Sequence, residues 1–324
     1  MFKLSLTSQM RADESKLYDV IIIGAGSAGF TCAIYSARDG WKTLILDKAA
    51  SGGQVATTHL IENFPGFPDG IGGSELMQKF QAQALRFGAE LAEFEEVNSI
   101  ETYKDESGSI FHLKTNSGKT YKGRTILLAT GRQPKKLDIP GEAEYSSRGV
   151  SYCVTCDGPL YKDKDTVVVG AGNSGVQESE ILLKYAKSVK FIEFLSHSMA
   201  EKVLQDRVFS HPKTSVLFNH MLTEIKGDKT VSSVIAKNRE TEELEEIHTN
   251  AVFIFVGHKP HTNLVKDLVK LDNMGYIITD GNMRTSVPGL FAAGDVCANN
   301  LAQCAVAVGD GAKAAQTIRE YLQK

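Results

Sequence analysis

Two cysteines three positions apart stand in Tyr152-Cys153-Val154-Thr155-Cys156-Asp157-Gly158-Pro159. Such a pair can close a small disulfide, particularly at a helix N-terminus, where the macrodipole favours thiolate and lowers its pKa. Asp157 follows directly. It is placed either to pass a proton to or from a departing thiolate or to cap a helix. The competing reading of Cys-x-x-Cys is half of a zinc site, which needs two further ligands at matching spacing. Cys297 and Cys304 offer no second Cys-x-x-Cys, so no metal site is expected. They read as packing residues, and Cys32 as a small core residue.

The elements that position this chemistry come in a repeat. Tyr18 to Ile23 is a β-branched run that reads as a buried parallel strand. It enters Gly24-Ala25-Gly26-Ser27-Ala28-Gly29, then a helix over about Phe30 to Asp39 stopped by Gly40, then a strand Thr43 to Leu46 ending at Asp47. In mid-chain, Thr166 to Val169 enters Gly170-Ala171-Gly172-Asn173-Ser174-Gly175. A helix Val176 to Tyr185 and a strand Val189 to Ile192 ending at Glu193 follow. Gly24 to Asp47 and Gly170 to Glu193 each span 23 positions. Hairpin-like sequence follows in both copies: Asp105-Glu106-Ser107-Gly108 and Asn116 to Lys119 in the first, Lys226 to Lys229 and Arg239 to Glu246 in the second. Each copy closes on a strand that meets Gly-x-x-Pro, at Gly131 to Pro134 and Gly257 to Pro260. The pattern predicts an α/β protein with two related Rossmann-like, three-layer dinucleotide-binding domains.

One Gly-x-Gly-x-x-Gly is weak evidence. Here each follows a strand, opens a helix and has an acid about 20 residues on, which is the context a dinucleotide needs. Gly24 makes the tight turn, Gly26 admits a pyrophosphate to the backbone, and Gly29 lets helix and strand pack closely. The phosphate then rests on the N–H groups at the helix N-terminus, and Asp47 accepts from a ribose hydroxyl. A later apolar strand, Val287-Pro288-Gly289-Leu290-Phe291-Ala292-Ala293, ends in Gly294-Asp295. An acid there lies where ligands bind in open α/β sheets, and it can also cap the next helix.

The chain has 324 residues, enough for two domains with cores of their own. It is 42% hydrophobic and 23% charged, as soluble globular proteins are. Lys+Arg is 36 against 39 Asp+Glu, so the net charge is -3. That balance argues against a dedicated nucleic-acid or membrane-surface protein. No apolar run approaches a membrane span, and Met1 to Leu17 has no apolar core of a signal peptide. Five cysteines are odd in number and too few for a disulfide scaffold, which suits a reducing, cytoplasmic compartment.

In this order the motifs resemble the low-molecular-weight thioredoxin reductases, from about residue 18 to 320. The resemblance rests on Gly24 to Gly29, Ser51-Gly52-Gly53-Gln54, Glu62-Asn63-Phe64-Pro65-Gly66, Ala129-Thr130-Gly131, Cys153 to Gly158, Gly170 to Gly175, and Arg284 to Gly289 through Gly294-Asp295. It implies a discontinuous FAD domain, residues 1–128 and 255–324, with the second nucleotide-type domain, 129–254, inserted and carrying the cysteines. It implies that Gly53, Gln54, Asn63, Asp295 and Gln303 line FAD. It further implies that Cys156 faces the flavin, Cys153 attacks the substrate disulfide and Asp157 is the general acid. The family is homodimeric, alternates between two domain orientations and reduces thioredoxin or a similar small redox protein.

The chain departs from the family at the second fingerprint. NADPH-using members carry His-Arg-Arg at the end of the second strand and another arginine four residues later, guanidinium being suited to the 2′-phosphate. Here the positions read Glu193-Phe194-Leu195 and Met199. A carboxylate beside a phosphate is unfavourable by roughly 1 kcal/mol even in a water-like dielectric, so poor use of NADPH is expected. Two readings stay open. Glu193 accepts from a ribose 2′-OH and the donor is NADH, with which Gly175 in place of the alanine of many NADPH members is compatible. Otherwise the second site is vestigial and electrons come from ferredoxin or a deazaflavin, as the resemblance of Glu-Phe-Leu and Asn-Ser-Gly to archaeal members implies. A dithiol oxidase that hands electrons to oxygen and a non-catalytic flavin redox sensor are rivals on the same scaffold. His258 and His261 lie on the loop after the second crossing, and His258, which resembles a family position near the domain hinge, can relay a proton or simply meet water.

Overall fold

The computed structural model describes residues 12–58, 61–105, 108–298 and 300–324. The first eleven residues, and Glu106 and Ser107 of the expected first hairpin turn, lie outside the described residues. The chain divides into two compact units, 1–133 with 259–324 and 134–258. Compared with the boundaries expected from sequence, 129–133 pass to the first unit and 255–258 to the second. Hydrogen bonds explain the shift: His261 N–H donates to the Gly131 carbonyl at 3.0 Å, and Lys135 N–H donates to the Gly257 carbonyl at 2.9 Å.

In the first unit, parallel strands run in the order Glu90–Ala92, Thr43–Leu46, Leu17–Ile23, Thr120–Leu128, and Leu290–Ala292 pairs the last of these. An antiparallel pair, Val97–Asp105 and Gly108–Thr115, extends the sheet from the early part of Thr120–Leu128. From Val20 to Ile23, successive side chains of strand Leu17–Ile23 enter opposite cores. Val20 and Ile22 pack with Phe30, Ile45 and Ile318 on the side of helices Ser27–Arg38 and Cys304–Leu322. Tyr18 and Ile21 pack with Leu44, Phe111 and Tyr121 on the other. Burial on both faces is why the strand reads as a continuous apolar run.

The second unit repeats the plan. Its parallel strands run Thr214–Leu217, Ser188–Ile192, Asp165–Val169, Ala251–Ile254, Val150–Ser151. Val168, Phe191 and Phe253 pack on helix Asn173–Tyr185 through Val176 and Leu182. Val167, Val169 and Ile254 pack on the antiparallel sheet His220–Gly227, Val231–Asn238, Leu244–His248 through Ile225, Val234 and Ile247. Both units therefore have a helix layer, a parallel sheet and an antiparallel layer. Each fingerprint helix begins three residues before its sequence-expected start, at Ser27 and Asn173. Gly26 and Gly172 are the extended caps, so the third glycine of each motif sits inside the first helical turn.

Candidate active site

In the second unit, strand Val150–Ser151 delivers the cysteines to a short helix, Val154–Asp157, that continues as a 3-10 turn through Tyr161. Cys153 and Cys156 are joined as a disulfide, with their Cα atoms 5.4 Å apart. Cys153 is the cap residue, and its Sγ accepts the Cys156 N–H at 3.1 Å. That donor would favour thiolate at Cys153 once the bond opens. The turn is anchored from both sides. Ser151 Oγ accepts the Cys153 N–H at 3.1 Å, and the Tyr152 hydroxyl donates to Glu142 at 2.6 Å. Glu142 is buried and also accepts the N–H groups of Leu137 and Asp138. Val154 is buried against the fingerprint helix. Cys156 is exposed and Cys153 half-buried, so a macromolecular disulfide can approach. Asp157 makes no side-chain capping bond to the turn that follows. Both sulfurs are taken up in one bond to each other. Sequence reasoning passed over Glu178, on the helix behind Thr155. Burial pushes its carboxyl up, against a bond from the Thr155 N–H.

In the first unit, the glycines divide their work as the motif requires. Gly24 has φ of 111°, and a Cβ there would lie 2.2 Å from the Ala129 carbonyl oxygen. A Cβ on Gly29 would lie 1.9 Å from the Gly24 carbonyl oxygen, whereas one on Gly26 meets nothing within 4 Å. Gly26 thus fronts open space at a helix start that has no side-chain cap and no acid in its first turn. The N–H groups of Ser27 and Ala28 are placed there as an anion site. Asp47 accepts the N–H groups of Ala25 at 2.7 Å and Ala49 at 2.9 Å.

A cavity of about 420 Å³ opens over this turn, lined by Gly26, Ser27, Ala28, Asp47, Gly53, Gln54, Ala129, Thr130, Gly131, Gly294 and Asp295. A second, of about 490 Å³, is lined by Asp47, Lys48, Glu95, Glu96 and Asn98. Both share Gly24, Asp47, Lys48, Thr130 and His261, so they form one elongated trough. Its length, its open glycine and its helix N-terminus fit a dinucleotide such as FAD. Asn63 and Gln303 are brought together at the edge, the Asn63 amide donating to Gln303 at 3.0 Å. Gln303 caps helix Cys304–Leu322, whose first residue, Cys304, lines the trough and lies 3.3 Å from Ser27 Oγ. Cys304 is therefore more than the packing residue expected from sequence. Cys32 and Cys297 are buried, which pushes each thiol up to about 12.

Arg132, which lines the trough, and Asp310, which holds the turn beside it, carry no obvious sequence signal. Arg132 places Nε 3.1 Å from Asp295, an ion pair without good hydrogen-bond alignment, and its carbonyl accepts from Gln54. Asp310 accepts the Gly294 N–H at 3.2 Å and the Asn300 amide at 2.6 Å, so it holds the Gly-Asp turn. Burial pushes Asp295 up; Arg132 opposes this and Asp310 adds to it. Burial likewise pushes Asp310 up. His261 is pushed down by burial and by Lys48.

The second fingerprint has the same internal geometry. Gly170 has φ of 98° and would place a Cβ 2.3 Å from the Phe255 carbonyl oxygen; Gly175 would place one 2.1 Å from that of Gly170. Gly172 fronts open space at the start of the helix that Asn173, Ser174 and Gly175 begin. Glu193 is buried and accepts the N–H groups of Ala171 at 2.5 Å and Leu195 at 2.9 Å. One correction concerns arginine. None follows Glu193 in the local sequence, yet Arg239, 46 positions on, places its guanidinium 3.5 Å from the centre of the Phe194 ring. It donates to the Phe194 carbonyl at 2.9 Å. No helix among the described residues is long and apolar enough to cross a membrane.

Known proteins share this arrangement. The profile of the pyridine nucleotide-disulphide oxidoreductases matches residues 18–311. The thioredoxin reductase of Treponema pallidum is 41% identical over 305 residues, which cover 94% of this chain and 97% of that protein. Among solved structures, Lactococcus lactis thioredoxin reductase in its FR conformation is 40% identical with a TM-score of 0.90, covering 94% of this chain and 99% of that one. T. acidophilum thioredoxin reductase is 43% identical with a TM-score of 0.89, covering 95% and 99%.

Proposed function

This chain belongs to the thioredoxin reductase family of pyridine nucleotide-disulphide oxidoreductases, and from that premise we propose that it reduces the disulfide of thioredoxin or a similar small redox protein. The observation that carries the reading is the accessible Cys153–Cys156 disulfide, held at a capped helix start in a chain whose other unit offers a dinucleotide trough. FAD held there would supply two-electron transfer from a donor to a disulfide. The N–H groups of Ser27 and Ala28 would hold its pyrophosphate and Asp47 a ribose hydroxyl. Gly53, Gln54, Asn63, Ala129 to Gly131, Asp295 and Gln303 would line the rest.

The thiol chemistry belongs to the chain. Opening the Cys153–Cys156 bond takes two electrons and two protons and leaves two thiols. Asp157, next to Cys156, is placed to deliver and recover one of those protons. The Cys153 thiolate, favoured by the Cys156 N–H, attacks one sulfur of the partner's disulfide and forms a mixed disulfide while the other sulfur leaves as thiol. Cys156 then attacks Cys153, restores the intramolecular bond and releases the partner as a dithiol.

For the donor, we infer NADH rather than NADPH. Glu193 occupies the strand-end position of a ribose acceptor, with free lone pairs beyond its two backbone bonds. Anaerobic titration of the FAD-loaded protein with NADH, NADPH and dithionite tests this through the flavin absorbance. Bleaching by NADH alone is the expected result. Efficient bleaching by NADPH overturns the reading of Glu193. Bleaching by dithionite only would move the donor to a ferredoxin or deazaflavin.

A further inference from the structure

The internal repeat locates a ligand contact in the second unit that its local sequence conceals. In the first unit the trough extends beside Asp47 and Lys48 toward Glu95 and Glu96. There Glu95 N–H donates to the Asp47 carbonyl at 2.8 Å and Phe94 N–H to that of Ala49 at 3.4 Å. In the second unit His220 N–H donates to the Glu193 carbonyl and Asn219 N–H to that of Leu195, both at 3.0 Å. The bonds match Asp47 with Glu193, Lys48 with Phe194, Ala49 with Leu195, and residues 94–95 with 219–220. Where the first unit has the end of its trough beside the ribose acid, the second has Phe194. Arg239 N–H is itself bonded to the Asn219 carbonyl at 2.8 Å, which brings the arginine to that same place.

The local chemistry is that of a base-stacking platform. Phe194 is 50% exposed beside the buried Glu193 carboxylate. The guanidinium lies over its ring and is held there by its bond to the Phe194 carbonyl, and Arg239 is exposed. A planar delocalised cation seated this way keeps its opposite face for another aromatic ring. A base extending from a ribose on Glu193 would reach this side of the strand end.

We propose that Arg239, seated on Phe194, is the adenine-recognising residue of the second nucleotide site and selects an adenine dinucleotide by stacking rather than by binding a 2′-phosphate. The proposal rests on the reading of that site as a nicotinamide-nucleotide site. It explains how the site holds an adenosine end without the family's arginine run. Edge-on donation to a 2′-phosphate is the other use of an arginine, and Glu193 opposes it by charge.

The test is calorimetric titration of the FAD-loaded protein, oxidised for AMP and reduced beforehand with dithionite under anaerobic conditions for NADH and NADPH, so that no hydride transfer accompanies binding. Wild type is compared with Arg239→Ala, Phe194→Ala and, as a charge control on a distant turn, Lys229→Ala. Arg239→Ala should bind AMP and NADH roughly three- to fivefold more weakly, the scale of one exposed cation–π contact. Phe194→Ala should lose a similar factor, Lys229→Ala nothing, and thermal melting should show all variants folded. A loss confined to NADPH would make Arg239 a phosphate clamp and overturn the proposal. Unchanged AMP and NADH binding in Arg239→Ala, with wild type binding both, would overturn it while leaving the donor reading intact. No binding of any nucleotide by wild type would overturn both.

Discussion

The two fingerprints agree down to individual hydrogen bonds and differ in what surrounds them. Asp47 and Glu193 each accept the N–H of the residue after the first glycine and the N–H two residues beyond themselves. The carbonyl of Ala25 accepts from Gly52 N–H, and that of Ala171 from Ser198 Oγ. A strand-end acid is therefore part of how this turn holds its shape, whichever nucleotide it serves. What distinguishes the units lies outside the motif. The first adds segment 259–324, which supplies Asp295 and Asp310; the second adds the cysteine turn and Arg239. The shared acid marks a nucleotide fold, while the flanking residues decide what the fold is for.

The sharpest break in the comparison is the cysteine pair, which only the second unit carries. Cys156→Ser should lower thioredoxin-dependent turnover by about a thousandfold or more, because the resolving thiol is lost and the mixed disulfide cannot collapse. The variant should keep its flavin absorbance, since the trough of the first unit is untouched. Turnover near wild type would remove the pair from the electron path.

The glycines test whether the units hold nucleotides independently. Gly29→Ala and Gly175→Ala each force a Cβ against a carbonyl oxygen, at 1.9 and 2.1 Å, so backbone must move. Overpacking of this kind costs about 1–3 kcal/mol, and both variants should melt earlier. Only Gly29→Ala should also lose FAD, read as the ratio of flavin to protein absorbance. Equal loss of FAD from both would mean that the two turns do not act separately.

The parts of this molecule legible in sequence are those with a local physical cause. The twin strands announce themselves because both faces are buried, as Val20 and Ile21 show by entering different cores. The glycine turns announce themselves because no other residue fits Gly24 or Gly170. Helix starts were displaced by three residues because the third glycine reads as turn although it packs inside the helix. Arg132, Asp310 and Arg239 were illegible for a different reason. Arg132 adjoins the Ala129–Gly131 turn, but its partner Asp295 lies 163 positions on; Asp310 comes from a helix that packs under Gly294, and Arg239 from a hairpin 46 positions beyond Glu193.

A smaller effect sharpens the contrast between Asp47 and Glu193. Glu193→Gln removes the charge that opposes a 2′-phosphate, worth roughly 1 kcal/mol or about fivefold. The gap between NADH and NADPH dissociation constants should narrow by that factor. The amide can accept only one of the two N–H groups from Ala171 and Leu195, so a stability loss of about 1 kcal/mol should accompany it. A ratio that stays put while stability falls would confine Glu193 to holding the turn.

The smallest expected effect isolates what segment 259–324 adds to the first unit. Burial raises the carboxyl pKa of both Asp295 and Asp310 above the ordinary value of 3.8, and Asp310 raises that of Asp295 further. A carboxyl raised in this way binds its proton more tightly folded than unfolded. Its stabilising contribution is fully present below the ordinary value and is lost as pH rises through the raised folded value. Asp310→Asn keeps an oxygen to accept from Gly294 N–H and from the Asn300 amide but removes the buried charge. Apoprotein carrying it should melt above wild type at neutral pH, by less than the glycine variants fall. That advantage should shrink as pH drops and wild-type Asp310 takes up its proton. Parallel melting curves across the acid range would mean that the charges of Arg132 beside Asp295 and of Lys313 near Asp310, each of which opposes the rise, offset the burial of the acid pair. The pair would then serve to aim the Gly294–Asp295 turn without a stability penalty at neutral pH.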